Sequence, residues 1–263
     1  MKILVCVKQV IDTGAALTLK EGQVDTEGLP RVLNPYDEFA VEEAVRIREQ
    51  APEDTTVTLI TLGPDRFKDT LRKGLAMGAD QAVHLLDSAF DGLDCLGVAT
   101  ALSKAIETLE YDLILCGRQA VDDDMAQVGP ALAVLLGIPF VTVVTLLNLS
   151  EDRKKAEVTR QIEGGSEIIE APLPLLITCQ KGLNEPRLPS LKGIMAAKKK
   201  EITLLDAAAI GFDAKGMGAE VNRVRETALK LPPARKKGII IEGTPEAACS
   251  QLVQALRNDA KVI

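Results

Sequence analysis

Residues 112–129 decide the fold: Asp112-Leu113-Ile114-Leu115-Cys116-Gly117-Arg118-Gln119-Ala120-Val121-Asp122-Asp123-Asp124-Met125-Ala126-Gln127-Val128-Gly129. An apolar run of strand length stops on a glycine, and a helical pattern over 122–136 follows. A run without polar alternation reads as a parallel strand covered on both faces. Four more runs of this kind, over 3–7, 55–62, 82–86 and 139–144, recur along the first half of the chain. Helical patterns separate them. Asp37 is placed to cap a helix carrying Ala40, Val41, Ala44, Val45 and Ile47. Phe67, Leu71 and Leu75 repeat at helical spacing and stop at Gly78. A further helix spans 96–109, and Pro130 is expected to kink the 122–136 helix or split off its first turn. This alternation predicts a doubly wound, mostly parallel α/β sheet with right-handed crossovers. Ligands of such sheets sit beyond the carboxyl ends of the strands.

Past residue 150 the pattern changes. Residues 155–170 alternate around the turn Glu163-Gly164-Gly165-Ser166 and read as an added β-hairpin. A buried strand over 174–178 follows, then a loop over 181–200. Residues 201–237 have weak periodicity and read as an extended arm. A strand over 238–242 and a helix from Thr244-Pro245 to about Arg257 complete it. The expected division is a body over 1–200 and a C-terminal arm over 201–263.

Composition excludes several classes of chemistry. With 46% apolar and 26% charged residues, the chain is not broadly disordered. Its one histidine, His84, lies in an apolar run and reads as a buried, hydrogen-bonded side chain. A Ser-His-Asp triad or a histidine-rich metal site would lack its partners. A net charge of −7 with 3% aromatic residues argues against a nucleic-acid binder. Cys6, Cys95, Cys116, Cys179 and Cys249 are scattered, odd in number and form no C-x-x-C pair, a pattern of reduced thiols. The N-terminal apolar run is too short for a signal peptide, and no stretch approaches membrane-spanning length. The expectation is a soluble cytoplasmic protein.

Strand ends carry the candidate binding residues. Gly117 lets the backbone approach a ligand, and the N–H groups opening the next helix suit a phosphate. Asp122, Asp123 and Asp124 favour the same helix end and compete with an anion for it. Two readings fit. Either backbone N–H groups and Arg118 hold a phosphate while an Asp turns to a sugar or caps the helix, or the helix is simply Asp-capped with no ligand. The segment is neither GxGxxG nor a Walker loop. Cys6 and Leu62 end two other strands in the same crevice. Asn34-Pro35-Tyr36-Asp37 can fold over it, with Tyr36 either core or ligand-stacking. Leu188, Leu191, Ile194 and Met195 punctuate a proline-set loop over 183–195, which reads either as a partner contact or as a loop folded back on a minor core. Lys198-Lys199-Lys200 reads as a solvated face.

Val158, Arg160, Glu163-Gly164-Gly165, Glu167 and Ile169, followed by Pro174-Leu175-Leu176-Ile177-Thr178, carry a family signature with its spacing. Lys8 with Asp12, Asn34-Pro35-Tyr36-Asp37, Leu75-Ala76-Met77-Gly78-Ala79-Asp80, residues 117–129 and Leu183-Asn184-Glu185-Pro186-Arg187 with the three lysines fall in the same order. The chain resembles the β (small) subunit of electron-transferring flavoproteins, strongly to about residue 201 and loosely beyond.

The resemblance implies a heterodimer with an α subunit that shares one FAD with it, an electron carrier and not a stand-alone enzyme. Electrons would come from flavin dehydrogenases such as acyl-CoA dehydrogenases, and go to an acceptor such as a membrane quinone oxidoreductase. It further implies a structural AMP at the positions Cys6, Asn34, Pro35, Tyr36, Asp37, Leu62, Gly117, Arg118, Gln119, Ala120, Val121, Asp122, Asp123, Asp124, Met125, Ala126, Gln127 and Val128. The 183–195 loop corresponds to a recognition loop whose leucine is Leu191, and the arm would pack on the α subunit. Some members instead hold a second FAD and bifurcate electrons from NADH. Ala126-Gln127-Val128-Gly129-Pro130 and Thr13 look like those, whereas Phe39-Ala40-Val41-Glu42-Glu43 and the three aspartates look like the AMP-holding ones, which is the reading favoured here. A free-standing adenine-nucleotide-binding regulator is the alternative of another class.

Overall fold

Neighbouring residues of one strand serve two different cores. In β1 (Lys2–Cys6) Ile3 and Val5 join one buried cluster, and Leu4 and Cys6 another. That is what a strand covered on both faces requires, since successive side chains point to opposite sides. A computed structural model describes residues 1–233 and 238–263. After β1, the short strands β2 (Gln9–Ile11), β3 (Leu19–Lys20), β4 (Gln23–Val24) and β5 (Arg31–Leu33) form two ribbons, β2 with β5 and β3 with β4. Elements so short carry no periodic signal.

Then the expected alternation follows: α1 (Pro35–Gln50), β6 (Thr56–Leu62), α2 (Lys68–Met77), β7 (Gln81–Leu85), α3 (Cys95–Ile106), β8 (Leu113–Gly117) and α4 (Val128–Leu136). The second half adds β9 (Phe140–Leu149), β10 (Lys155–Ile162), β11 (Gly165–Pro172), β12 (Leu175–Cys179), α5 (Leu191–Lys199), β13 (Thr203–Leu205), α6 (Ala214–Met217) and α7 (Pro245–Gln254). Nine strands make one sheet in the order β11-β10-β9-β12-β8-β1-β6-β7-β13. All neighbours from β9 to β13 in that order are parallel, and the hairpin β10–β11 joins β9 antiparallel.

Ala40, Val41 and Ala44 of α1, Leu71 and Leu75 of α2 and Ala197 of α5 cover one face. Ala99, Leu102 and Ile106 of α3 and Leu132 and Ala133 of α4 cover the other. The chain winds away from β1 to β6 and β7 on the first face, then returns across the second to β8. The winding reverses between β1 and β8. His84 is fully buried with Nε2 2.8 Å from the Gly63 carbonyl oxygen, the structural role its apolar run predicts.

Several expectations are corrected. Asn34, not Asp37, precedes the first helix, because Pro35 at its first position has no N–H to lose. The helix expected from Asp122 starts at Val128, which puts Pro130 in its first turn, where no N–H is needed and no kink arises. The 181–200 loop contains α5, capped by the Ser190 side chain on the Gly193 N–H. Of the three lysines, Lys200 is only partly exposed and its ammonium reaches the Ala79 carbonyl oxygen at 2.5 Å. The arm begins later than residue 201, because β13 pairs with β7 and Ala207, Ile210 and Phe212 are buried. Residues 238–242 form no strand among the described residues, with Ile239 and Ile240 about nine-tenths exposed (91% and 87%). Residues 234–237 of the expected arm lie outside the described residues.

Phe212 meets Phe90 edge-to-face at 5.3 Å between ring centres. Phe212→Ala is expected to destabilise the purified protein by about 3–5 kcal/mol in urea unfolding, as core aromatic truncations do. A cost below about 1 kcal/mol would place residues 203–212 outside the body.

Candidate functional site

Gly117, the last residue of β8, sets the geometry of the site. A Cβ there would lie 2.1 Å from Asp37 Oδ1 and 2.9 Å from the Asp37 nitrogen. Only glycine lets the end of β8 close onto the first turn of α1. In that turn Asp37 Oδ2 accepts the Lys8 N–H at 2.7 Å, and Oδ1 accepts from Asn34 Nδ2 at 2.9 Å. Asn34 also donates to the Gln119 carbonyl oxygen at 2.9 Å and accepts the Val121 N–H at 3.2 Å. These two side chains tie the end of β1, the start of α1 and the loop after β8 to one another.

Burial pushes the Asp37 carboxyl up to about 7, against hydrogen bonds from Asn34 and from the Lys8 and Gly117 backbone that favour the anion. Lys8 is pulled two ways: burial lowers its pKa, but the hydrogen bond and charge of Asp122, with Asp123 behind it, outweigh that and leave it raised. The ammonium is 2.8 Å from Asp122 Oδ1 and 3.1 Å from Asp123 Oδ2. Asp124 takes the Gln119 amide at 2.5 Å. The three aspartates thus lie in the loop before α4, spent on side chains and not on the helix end. The competition expected between them and an anion does not arise there. Arg118 has no carboxylate partner among the described residues.

A cavity of about 310 Å³ opens where the winding reverses. Of the sequence-predicted residues, Cys6, Asn34, Asp37, Leu62, Gly117, Arg118, Gln119, Ala120, Asp123, Met125, Ala126, Gln127 and Val128 line it. Pro35, Tyr36, Val121, Asp122 and Asp124 do not: they hold the loop and the turn behind the wall. Ala126 adopts φ 54°, a left-handed backbone uncommon for a residue with a side chain. The far wall, Phe90, Gly92, Leu93, Asp94, Cys95 and Val98, went unpredicted. Its one sequence signal was the capping residue Asp94 ahead of a helical run, whose Oδ1 takes the Gly97 N–H at 2.9 Å.

Asp94 also holds the start of the arm. Its Oδ2 accepts the N–H groups of Arg223 at 2.6 Å and Val224 at 3.1 Å, while Asn222 Oδ1 accepts the Asp94 N–H at 3.1 Å. A second groove, between Asp94, Gln127, Pro130 and Arg223, adjoins the cavity. Leu188, Leu191, Ile194 and Met195 lie well away from both, on the outer side of α5 and the turn before it. Their exposures of 91%, 78%, 41% and 54% exclude a loop folded back on a minor core.

Asn34→Ala would remove one side chain from three hydrogen bonds and leave a buried carboxylate short of a donor. The expected loss is about 1–3 kcal/mol of unfolding free energy, read by denaturant titration. For Asp37, the folded protein keeps a proton up to about pH 7 that the unfolded chain, with an ordinary value of 3.8, has released. Its contribution to stability therefore declines as pH rises from about 4 to 7. Asp37→Asn is expected to flatten that decline in unfolding titrations at stepped pH; an unchanged slope would assign it to other groups.

Comparison with known proteins accords with this arrangement. The family model described as the electron transfer flavoprotein domain matches residues 21–210. The electron transfer flavoprotein subunit beta of Megasphaera elsdenii is 40% identical, over 97% of this chain and 98% of its own length. That of Bacillus subtilis is 38% identical over the whole of both chains. The caffeyl-CoA reductase-Etf complex subunit CarD of Acetobacterium woodii is 42% identical over 93% of each. With its body, hairpin and C-terminal extension aligned to these relatives nearly end to end, the chain belongs to the β-subunit family of electron-transferring flavoproteins.

Proposed function

We propose that the chain works as the β half of an αβ electron carrier, taking electrons from a flavin dehydrogenase and passing them to a downstream oxidoreductase, with an adenine nucleotide in the cavity between β1 and β8. One observation carries this reading: a cavity stands at the reversal of winding, the place where doubly wound sheets bind ligands. Its residues fit an adenosine phosphate. Gln127, Val128 and Gly129 bring the opening turn of α4, with its unpaired N–H groups, to the wall. Arg118 supplies an uncommitted cation, and Cys6, Ile60, Leu62, Phe90 and Leu102 give an apolar floor for a base. The nucleotide here is structural. A flavin shared with the α subunit supplies the redox chemistry when bound, which is why the chain needs no general base or nucleophile.

The half-unpacked C-terminal segment supports a partner. Ile239 and Ile240 stand in water, and α7 buries no residue. Such a segment seats naturally on an α subunit, and the exposed leucines of the 183–195 loop on a dehydrogenase. No helix among the described residues is long and apolar enough to cross a membrane, consistent with a cytoplasmic carrier that meets a membrane-bound acceptor. A second reading, a bifurcating subunit with FAD in the cavity and NADH as donor, draws on the adjoining groove, which shares Asp94, Ala126 and Gln127 with the cavity and leaves room for more than a mononucleotide.

Co-expression with the α partner, heat release of bound nucleotides and chromatography decide between these. AMP with one FAD is the expected result; two FADs per complex would favour bifurcation, and a complex without flavin absorbance would end the carrier reading. Arg118→Ala is expected to lower retained β-site nucleotide about tenfold, the effect of losing one charge-assisted contact. Leu191→Ala is expected to slow reduction by the dehydrogenase at unchanged flavin content, since a buried apolar anchor is worth about 2 kcal/mol.

A further inference from the structure

The exposed leucines stand between two anchored feet. At the first, Asn184 Nδ2 donates to the Phe39 carbonyl oxygen at 3.0 Å and to Glu43 Oε2 at 2.9 Å. Arg187 gives Glu42 three bonds, from its backbone N–H (3.0 Å), Nε (2.8 Å) and Nη2 (2.9 Å). The rest of its fork reaches Glu49, seven residues and two turns along the same face of α1, with Nη1 at 2.5 Å and Nη2 at 3.0 Å. The Glu42 side chain is only 6% exposed, and Arg187 is the cation that meets it. At the second foot Arg72 Nη1 on α2 holds the Ala197 carbonyl oxygen at 2.5 Å, and Lys200 holds that of Ala79. A Cβ on Gly193 would lie 2.4 Å from the Ala76 carbonyl oxygen, so α5 rests directly on the end of α2. Residues 188–192 arch between the feet.

From this geometry we infer that Arg187 is a positioning residue for docking: its fork across Glu42 and Glu49 presets the 188–192 arch, so that the leucines are displayed in their binding arrangement before a partner arrives. The inference rests on the docking reading of the loop. A planar guanidinium can satisfy two carboxylates two turns apart in one orientation; an ammonium cannot. Fixing the arch in advance removes an ordering cost from association. Removing the fork therefore keeps both leucines in the chain but lets the arch that carries them wander, and the loss falls on encounter with the partner and not on chemistry within the complex.

The test uses the αβ complex with three variants, Arg187→Lys, Glu49→Gln and Leu191→Ala. Arg187→Lys keeps a cation beside buried Glu42, and Glu49→Gln alters only an exposed carboxylate, so both are expected to fold with unchanged flavin spectra. Amide hydrogen exchange at Gly193 and Ile194, whose N–H groups bond the Ser190 hydroxyl and carbonyl oxygens at the end of the arch, is expected to quicken about tenfold in Arg187→Lys and less in Glu49→Gln, with α1 and the sheet unchanged. With an acyl-CoA dehydrogenase as donor, KM for the carrier is expected to rise about fivefold in Arg187→Lys with kcat held. Unchanged exchange at Gly193 and Ile194 in both fork variants would overturn the inference. So would an unchanged KM in Arg187→Lys beside a raised one in Leu191→Ala, an outcome that leaves docking itself standing. A Leu191→Ala complex with wild-type KM would overturn the docking reading and the inference with it.

Discussion

A buried carboxylate needs donors, and Asp37 finds them on the ends of segments that would otherwise be free to part. Its oxygens collect N–H groups from Asn34 and Lys8, and Asn34 in turn holds Gln119 and Val121. A buried oxygen left without its donor costs more than a typical hydrogen bond contributes. The node therefore fixes where β1 ends, where α1 begins and how the loop after β8 turns back. Gly117 permits the close approach on which all of this depends. The cavity is the space left over once those three chain ends are fastened.

The chain divides its labour accordingly. One side of the sheet's carboxyl edge offers a polar rim, with the ammonium of Lys8 neutralised by Asp122 and Asp123 and the guanidinium of Arg118 without a carboxylate partner among the described residues. The other side, formed by Phe90 to Val98, is mostly apolar apart from Asp94, which grips the chain at 222–224. In a carrier subunit, distance and orientation between flavins govern the rate, and rigid elements supply both.

Sequence reading recovered the sheet because long apolar runs report burial on both faces directly. It also found most of the near wall, since Gly117 and the Asn34 turn are tied to strand ends. It failed where the signal is tertiary. The helix start moved from Asp122 to Val128 because Asp122 and Asp123 bond Lys8, far away in sequence, and Asp124 bonds Gln119, in place of capping the helix. The strand expected over 238–242 has the right residues, but a strand needs an edge to pair with, and among the described residues none reaches it. α5 was hidden by the prolines before it and the lysines at its end, and only the Arg72 guanidinium of α2, which donates to the carbonyl oxygens of Ala197 and Lys200, explains why it stays put.

One helix carries the fastenings of two sites. The first turn of α1 holds the cavity together through Asn34 and Asp37, and its later turns present Glu42, Glu43 and Glu49 to the docking arch. Each residue of a helix is rotated about 100° from the last. Inserting or deleting a single residue between Asp37 and Glu42 would swing the three glutamates off the arch, and would turn Ala44, Val45 and Ile47 away from the sheet with them. The spacing between these acids is therefore a gauge: the same helical turns set both the sheet contact and the seat of the loop, and neither tolerates a change in count.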